Sequence, residues 1–279
     1  MTSYLGQPLR RFEDAKLITG AGRFINDIKL LDMLHAVVVR SEYAHARIRS
    51  IDVSAARGSP GIVEVLTGGD LAGTLPNIPI RPMGDRAVEV FNPPEHPVLT
   101  PDKVCYVGQP VAVVVATDPY LARDGADLVD VDYEVLTPVV DPDTAADEDT
   151  PVIHPELGTN VAMRSVQKGG DIDQAFAQAD HVVRQMYRVP RLAPSPLETR
   201  GVIGNYDPAK DFLTVWASTQ APHQVKRYLS QILERPEETI RVVAPEVGGS
   251  FGIKDCLLPE DVLMPFLSLR LQKPVKWIE

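Results

Sequence analysis

Cysteine is one of the scarcest residues in this chain. Its 279 residues include two, Cys105 and Cys256, too few and too far apart for a disulfide framework or a zinc knuckle. Such usage suits a reducing cytoplasm. Cys256 lies just beyond a glycine-rich loop and reads as a buried neutral thiol rather than a ligand. Long apolar runs are also missing: no stretch approaches the ~18–20 residues of a membrane span. The segment from Met1 to Lys16 is polar and lacks the apolar core of a secretory signal. Basic charge is in deficit as well. With 28 Lys and Arg against 38 Asp and Glu, the net charge is −10, which disfavours a nucleic-acid surface or docking on an anionic membrane. Part of that charge is local, in Asp141 to Asp149, which reads as a solvated linker. The six histidines, at 35, 45, 96, 154, 181 and 223, show no metal-ligand spacing, so no residue is expected to bind metal directly. No Ser-His-Asp nucleophile constellation is visible either.

What is present describes a globular α+β protein. Hydrophobic content of 44% and charged content of 24% are ordinary for a folded chain, and the length allows two domains. Strands are expected at 34–40, 48–53, 62–66, 111–116 and 130–136, with a helix from Asp118 through Leu128. Residues 72–98, rich in Pro and Gly, read as an irregular excursion. The second half opens with a short helix after Asp171. Strands at 181–190, 200–206, 212–219 and 239–244 follow, with helices at 221–234 and 259–272 and a last strand from Pro274. The expected division is a domain over 1–145 and a second over 146–279.

One segment carries the most chemistry. The β-branched run from Thr239 leads into a loop holding Gly248, Gly249, Ser250, Phe251 and Gly252, and a helix starts near Pro259. Glycines without a Cβ can take positive φ and bring backbone N–H groups close to an anionic or oxo-bearing ligand. Two familiar motifs fail here. A Walker A loop needs a Gly-Lys-Ser/Thr ending, whereas Ile253 precedes Lys254 and Asp255 follows it; nor does any register give G-x-G-x-x-G. A plain glycine-rich turn remains an alternative from the loop alone. Upstream, Trp216 to Gln220 is another strand end, with a polar amide where a helix begins.

Ser218-Thr219-Gln220 followed by Gly248 to Gly252 resembles the start of the molybdenum-pterin domain of the molybdenum hydroxylases. That family includes xanthine dehydrogenase, aldehyde oxidase and carbon monoxide dehydrogenase. Gly6–Asp14, Thr19–Asp27 and Val39–Ile48 look like the opening of its large subunit. Tyr106–Ala112 and Val131–Leu136 resemble its hammerhead domain, and Pro196–Gly201 and Pro259–Asp261 match the domain that follows. The motifs keep the family's order along essentially the whole chain, and are most similar to the bacterial three-subunit type.

The resemblance implies an aldehyde oxidase/xanthine dehydrogenase-type hammerhead domain followed by the first part of a molybdopterin-binding domain. It implies that Gln220 and Phe251 are catalytic contacts: the Gln220 amide and the Phe251 backbone N–H would donate to an oxo ligand of molybdenum. Gly248, Gly249, Ser250, Gly252, Gln220 and Phe251 would bind the cofactor, as molybdopterin or its cytosine dinucleotide. Asp255 occupies a position that can face substrate, though a solvent-facing Asp reads equally well. Glu198, beside Arg200, reads as a buried ion pair or hydrogen bond shaping the pocket wall. Gly108 and Gln109 read as a turn, and His223 as a helix-start surface residue.

In such a protein a small molecule (an aldehyde, a purine or other N-heterocycle, or CO) is oxidised with water as oxygen source. The expected partners are the remaining large-subunit domains, an iron–sulfur small subunit carrying 2Fe-2S clusters and a flavin subunit carrying FAD, assembled as a dimer of heteromers. Family large subunits run far beyond this chain, and their further part carries the catalytic glutamate base. The chain therefore reads as the first part of a large subunit: a truncation, a fragment or one piece of a split subunit. Two other functions compete: a non-catalytic scaffold or assembly subunit, and a nucleotide-binding enzyme using 247–255.

Overall fold

The computed structural model describes residues 4–80 and 88–279. Twelve strands are found among them: β1 Leu34–Arg40, β2 Ala46–Asp52, β3 Ile62–Thr67, β4 Val88–Phe91, β5 Lys103–Val104, β6 Pro110–Ala116, β7 Asp130–Val135, β8 Met163–Ser165, β9 Gly201–Asp207, β10 Phe212–Ala217, β11 Ile240–Val243 and β12 Val275–Ile278. The α-helices are α1 Asp14–Ile18, α2 Ser54–Arg57, α3 Gly68–Leu71, α4 Pro119–Ala126, α5 Ile172–Gln178, α6 Pro222–Ile232 and α7 Pro259–Leu271. Two compact units result, one of residues 1–37, 115–122 and 195–279, the other of 38–114 and 123–194.

The unit holding the glycine loop is a mixed sheet in the order β11-β10-β9-β12-β1. β9 runs antiparallel to both β10 and β12. β10 and β11 are parallel, a pairing that a tight turn cannot make, so the chain returns through a crossover helix. That helix is α6, which buries Val225, Tyr228, Leu229 and Ile232 along one stripe, the spacing of an amphipathic surface. α7 makes the second return, from the glycine loop to β12. It lies against β9 because Gly204 has no side chain: a Cβ there would sit 2.5 Å from the Met264 carbonyl oxygen. Ser268 of α7 then accepts the Tyr206 N–H at 2.8 Å, so helix and strand are joined by a hydrogen bond as well as by packing.

The other unit has a three-stranded antiparallel sheet, β5-β2-β7, and a β4-β8 ribbon. Beside these, β6 neighbours β3. All seven residues of β6 are buried, as its unbroken apolar run requires. Gly68, at the start of α3, sits under the backbone of Thr100, whose oxygen would lie 2.2 Å from an added Cβ. Gln109 is buried and its side-chain oxygen accepts the Cys105 N–H at 2.7 Å, closing the turn in which Gly108 takes a φ of +87°.

Most expected elements appear within a residue or two of their sequence positions. The strand expected at 181–190 does not: that segment is irregular. Val182, Val183, Met186, Tyr187 and Val189 all lie exposed, and no backbone hydrogen bond of 181–190 is formed among the described residues. A strand exists only when a neighbour satisfies its N–H and C=O groups, and none of the described residues pairs with this segment. The excursion at 72–98 is also not wholly irregular, because Val88–Phe91 pairs with β8; residues 81–87 lie outside the described set.

Candidate functional site

Two chain segments meet at the C-terminal ends of the parallel pair β10 and β11, where α/β folds characteristically form binding crevices. The first is Ser218-Thr219-Gln220, directly after β10. The second is the loop 247–255 between β11 and α7. They are hydrogen-bonded to each other: the Gln220 N–H donates to the Lys254 carbonyl at 3.1 Å, and the Thr219 hydroxyl donates to the same oxygen at 3.1 Å. Ser250 Oγ also donates to Gln220 Oε1. Gln220 and the glycine loop are therefore brought together, as the sequence reading required.

The loop has a backbone that few residues can adopt. Gly249 has φ +100° and Gly252 has φ +91°. A Cβ on Gly249 would lie 3.0 Å from Pro196 Cβ and 3.1 Å from the Phe251 ring. Gly248 has ordinary φ, but a Cβ there would press on Glu198 Cβ at 2.5 Å. Between Gly249 and Gly252, Phe251 takes a left-handed φ of +51°, uncommon for a residue with a side chain, and the residue is 75% exposed. Its N–H has no acceptor among the described residues, and the Gln220 side-chain NH₂ has none either. Two donors thus stand free at the rim of a loop that keeps side chains out.

Glu198 is the residue whose importance the sequence reading understated. Its Oε2 accepts from Gly248 N–H at 2.7 Å, Ser218 Oγ at 2.7 Å and Lys254 Nζ at 3.0 Å. Its Oε1 accepts from Ile25 N–H at 3.2 Å. Burial works to raise the pKa of this carboxyl, and the donors from Gly248, Ser218, Lys254 and Ile25 outweigh it, so the group lies below its ordinary value. The expected buried ion pair exists, but its partner is Lys254, whose side chain is fully buried. Arg200 instead pairs with Glu260 at 3.0 Å and Glu279 at 2.8 Å, and stacks over Trp277. The available sequence signal was a lone lysine in a loop where the Walker pattern had failed. That commitment of Lys254 to Glu198 also leaves the nucleotide reading without its phosphate-binding cation.

One neighbour stands differently from expectation. Cys256, expected to be buried, is exposed, because the turn after Gly252 sends Lys254 and Leu257 inward and residues 255–256 outward. Asp255 is exposed too, and His223 lies exposed at the start of α6. No group of three or more His, Cys, Asp or Glu side chains able to hold a metal ion occurs among the described residues.

Comparison with known proteins bears on this geometry. Residues 153–279 match the family described as the molybdopterin cofactor-binding domain. Residues 19–137 match the a/b hammerhead domain of aldehyde oxidase and xanthine dehydrogenase. The chain is 41% identical over 275 residues to the nicotine 6-hydroxylase large subunit of Paenarthrobacter nicotinovorans, covering 99% of this chain and 33% of that protein. It is 36% identical over 288 residues to the carbon monoxide dehydrogenase large chain of Afipia carboxidovorans, covering 99% of this chain and 34% of that one. The crystal structure of quinoline 2-oxidoreductase from Pseudomonas putida 86 superposes with a TM-score of 0.88 at 38% identity, over 97% of this chain and 34% of that one. The chain spans about a third of the length of these relatives.

Proposed function

Because the chain belongs to the molybdenum hydroxylase large-subunit family, we propose that its loop 247–255 and its Ser218–Gln220 strand end form one wall of a molybdenum-pterin site. The observation that carries this reading is the pair of donors unpartnered among the described residues, the Gln220 amide and the Phe251 N–H, on a loop whose Gly249 and Gly252 take positive φ and whose Gly248 and Gly249 pack tightly on Glu198 and Pro196. Neutral donors aimed into a cradle suit a polarised oxygen without delivering a proton to it. Gln220 and Phe251 are the contacts closest to the chemistry, with Gly248, Gly249, Ser250 and Gly252 shaping the cradle. Asp255, solvent-facing here, is a weaker substrate contact. When bound, the cofactor supplies two-electron oxidation of a small molecule with water as oxygen source. The chain's own part is to hold and orient.

The substrate falls in the class the relatives' names span, an N-heterocycle, purine or aldehyde, or CO. Residues 1–145 make the hammerhead domain and 146–279 the opening of the cofactor domain. The partners are further large-subunit domains, an iron–sulfur subunit with 2Fe-2S clusters and an FAD subunit, in a dimer of heteromers in the cytoplasm. Among the described residues no helix is long and apolar enough to cross a membrane. Molybdenum and pterin analysis of the chain co-purified with such partners tests the reading: stoichiometric cofactor supports it. Assembly without cofactor would favour the second reading, a scaffold subunit, for which the exposed apolar residues between Val182 and Leu192 speak.

A further inference from the structure

Three separate stretches of chain send four hydrogen-bond donors to one carboxylate. Ile25 opens the 3-10 turn Ile25–Asp27 before β1, Ser218 follows β10, Gly248 opens the glycine loop and Lys254 closes it. The link is doubled at the backbone: Glu198 N–H donates to the Gly248 carbonyl at 3.3 Å, and Lys254 Nζ donates to the Glu198 carbonyl at 2.8 Å. Lys254 in turn presents its own carbonyl to Gln220 N–H and Thr219 Oγ. Apart from the Ser250–Gln220 side-chain bond, the hydrogen bonds found between the strand end and the two flanks of the glycine loop run through Glu198 or through Lys254, its ion-pair partner.

We propose that Glu198 is a positioning residue of the cofactor site, whose ionised carboxylate pins both flanks of the glycine loop to the Ser218–Gln220 strand end and so sets the spacing between the Gln220 amide and the Phe251 N–H. The chemistry requires a charged, two-oxygen acceptor. A carboxylate accepts on both oxygens, and four donors saturate it here. Charged acceptors also make the strongest such bonds. An amide of the same shape offers one acceptor oxygen and would turn an NH₂ toward donors. The loop needs this external clamp because its own glycines and left-handed Phe251 give it little intrinsic preference for one conformation. Glu198 is not a catalytic residue: its oxygens are occupied by the protein, and it acts through Gly248 and Lys254. The inference rests on the cofactor-site reading, but the clamp itself concerns the free chain.

Two independent readouts test it. In Glu198→Gln, Lys254 keeps its bond to the residue's backbone carbonyl, so the unit should stay folded. Hydrogen exchange at the Gly248 and Gln220 amides should then rise about tenfold or more, the scale expected on losing one charged hydrogen bond. Amides of β9, β10, α6 and α7 should stay within about twofold of wild type. Ser218→Ala, which removes one donor and keeps the ion pair, should loosen the same amides by less, and it decides the matter if Glu198→Gln fails to fold. Loading with the molybdenum-pterin cofactor gives the second readout. Glu198→Gln should lose cofactor faster, and its Mo(V) paramagnetic resonance signal should shift. Unchanged exchange at Gly248 and Gln220, or loosening spread evenly over the whole unit, overturns the clamp. If wild type itself takes up no cofactor, the cofactor-site reading falls, and the exchange measurement still judges Glu198.

Discussion

The backbone N–H of Gln220 donates to the carbonyl of Lys254 at 3.1 Å, so a strand-end amide and a loop 34 residues later form one hydrogen-bonded piece. Among the described residues this leaves the Gln220 side chain with a single intrachain tie, to Ser250. Removing that side chain should therefore cost the fold little. In the loaded large subunit, Gln220→Ala is expected to lower turnover on the order of 10²-fold, the usual loss for one preorganised donor, with an unchanged melting temperature. Turnover equal to wild type in a fully loaded variant would remove Gln220 from the site.

Gly249→Val should abolish molybdenum retention. The position has φ +100° and a Cβ would meet Pro196 and the Phe251 ring, so a β-branched residue is strained by backbone and by space at once. Elemental analysis measures the metal, and circular dichroism follows the rest of the chain. Full metal content would mean that the loop is only a turn.

Gly204→Ala tests how α7 is seated. The added methyl group would lie 2.5 Å from the Met264 carbonyl and 2.7 Å from Pro265 Cα, backbone atoms that cannot rotate away. A loss of about 1–3 kcal/mol is expected from such overpacking, measured by urea denaturation. The same substitution at Gly69, which lies near only the Thr67 hydroxyl at 3.7 Å, should be nearly neutral.

Two carboxyls give opposite pH dependence. Part of Asp261 reaches the surface, but its carboxyl is enclosed, and burial pushes its pKa up to about 7 from 3.8. The folded state then holds this proton more tightly than the unfolded one. Its contribution is fully present below pH 3.8 and is lost as pH rises through about 7. Asp261→Asn, which can still accept the Leu258 N–H, should gain stability relative to wild type between pH 4 and 8. Glu198, held below 4.5, does the reverse, and its contribution fades as pH falls below that value. A wild-type-minus-variant difference that stays flat over pH 4–8 would show Asp261 to be ionised throughout.

The chain by itself should oxidise no substrate and should self-associate. No residue here matches the glutamate base of the resembled family, and Val183, Tyr187, Val189 and Leu192 are each more than three-quarters exposed. Apolar surface of that extent drives association. Light scattering should show concentration-dependent oligomers, reduced by Val183→Asp combined with Tyr187→Asp. Substrate oxidation by the cofactor-loaded chain with an artificial electron acceptor would contradict the first expectation, and a monomer at all concentrations the second.

Local pattern sufficed wherever one segment's chemistry decides its own structure. The apolar run at 111–116 could only be a buried strand, the stripe Val225, Leu229 and Ile232 only one face of a helix, and the glycines at 248, 249 and 252 only a loop that excludes side chains. The ordered motifs from Gly6 to Asp261 carried the family resemblance in the same way. Three matters belonged to the tertiary structure. The run at 181–190 has a strand's composition, but a strand needs a partner, and composition cannot supply one. Glu198 stands two residues from Arg200 yet pairs with Lys254, 56 residues away, because the fold brings the glycine loop to it. Cys256 is exposed because the turn after Gly252 fixes which of its neighbours point inward. The presence or lack of a partner distant in sequence decided the first two, and the backbone course of a turn the third; each exists only once the chain has folded.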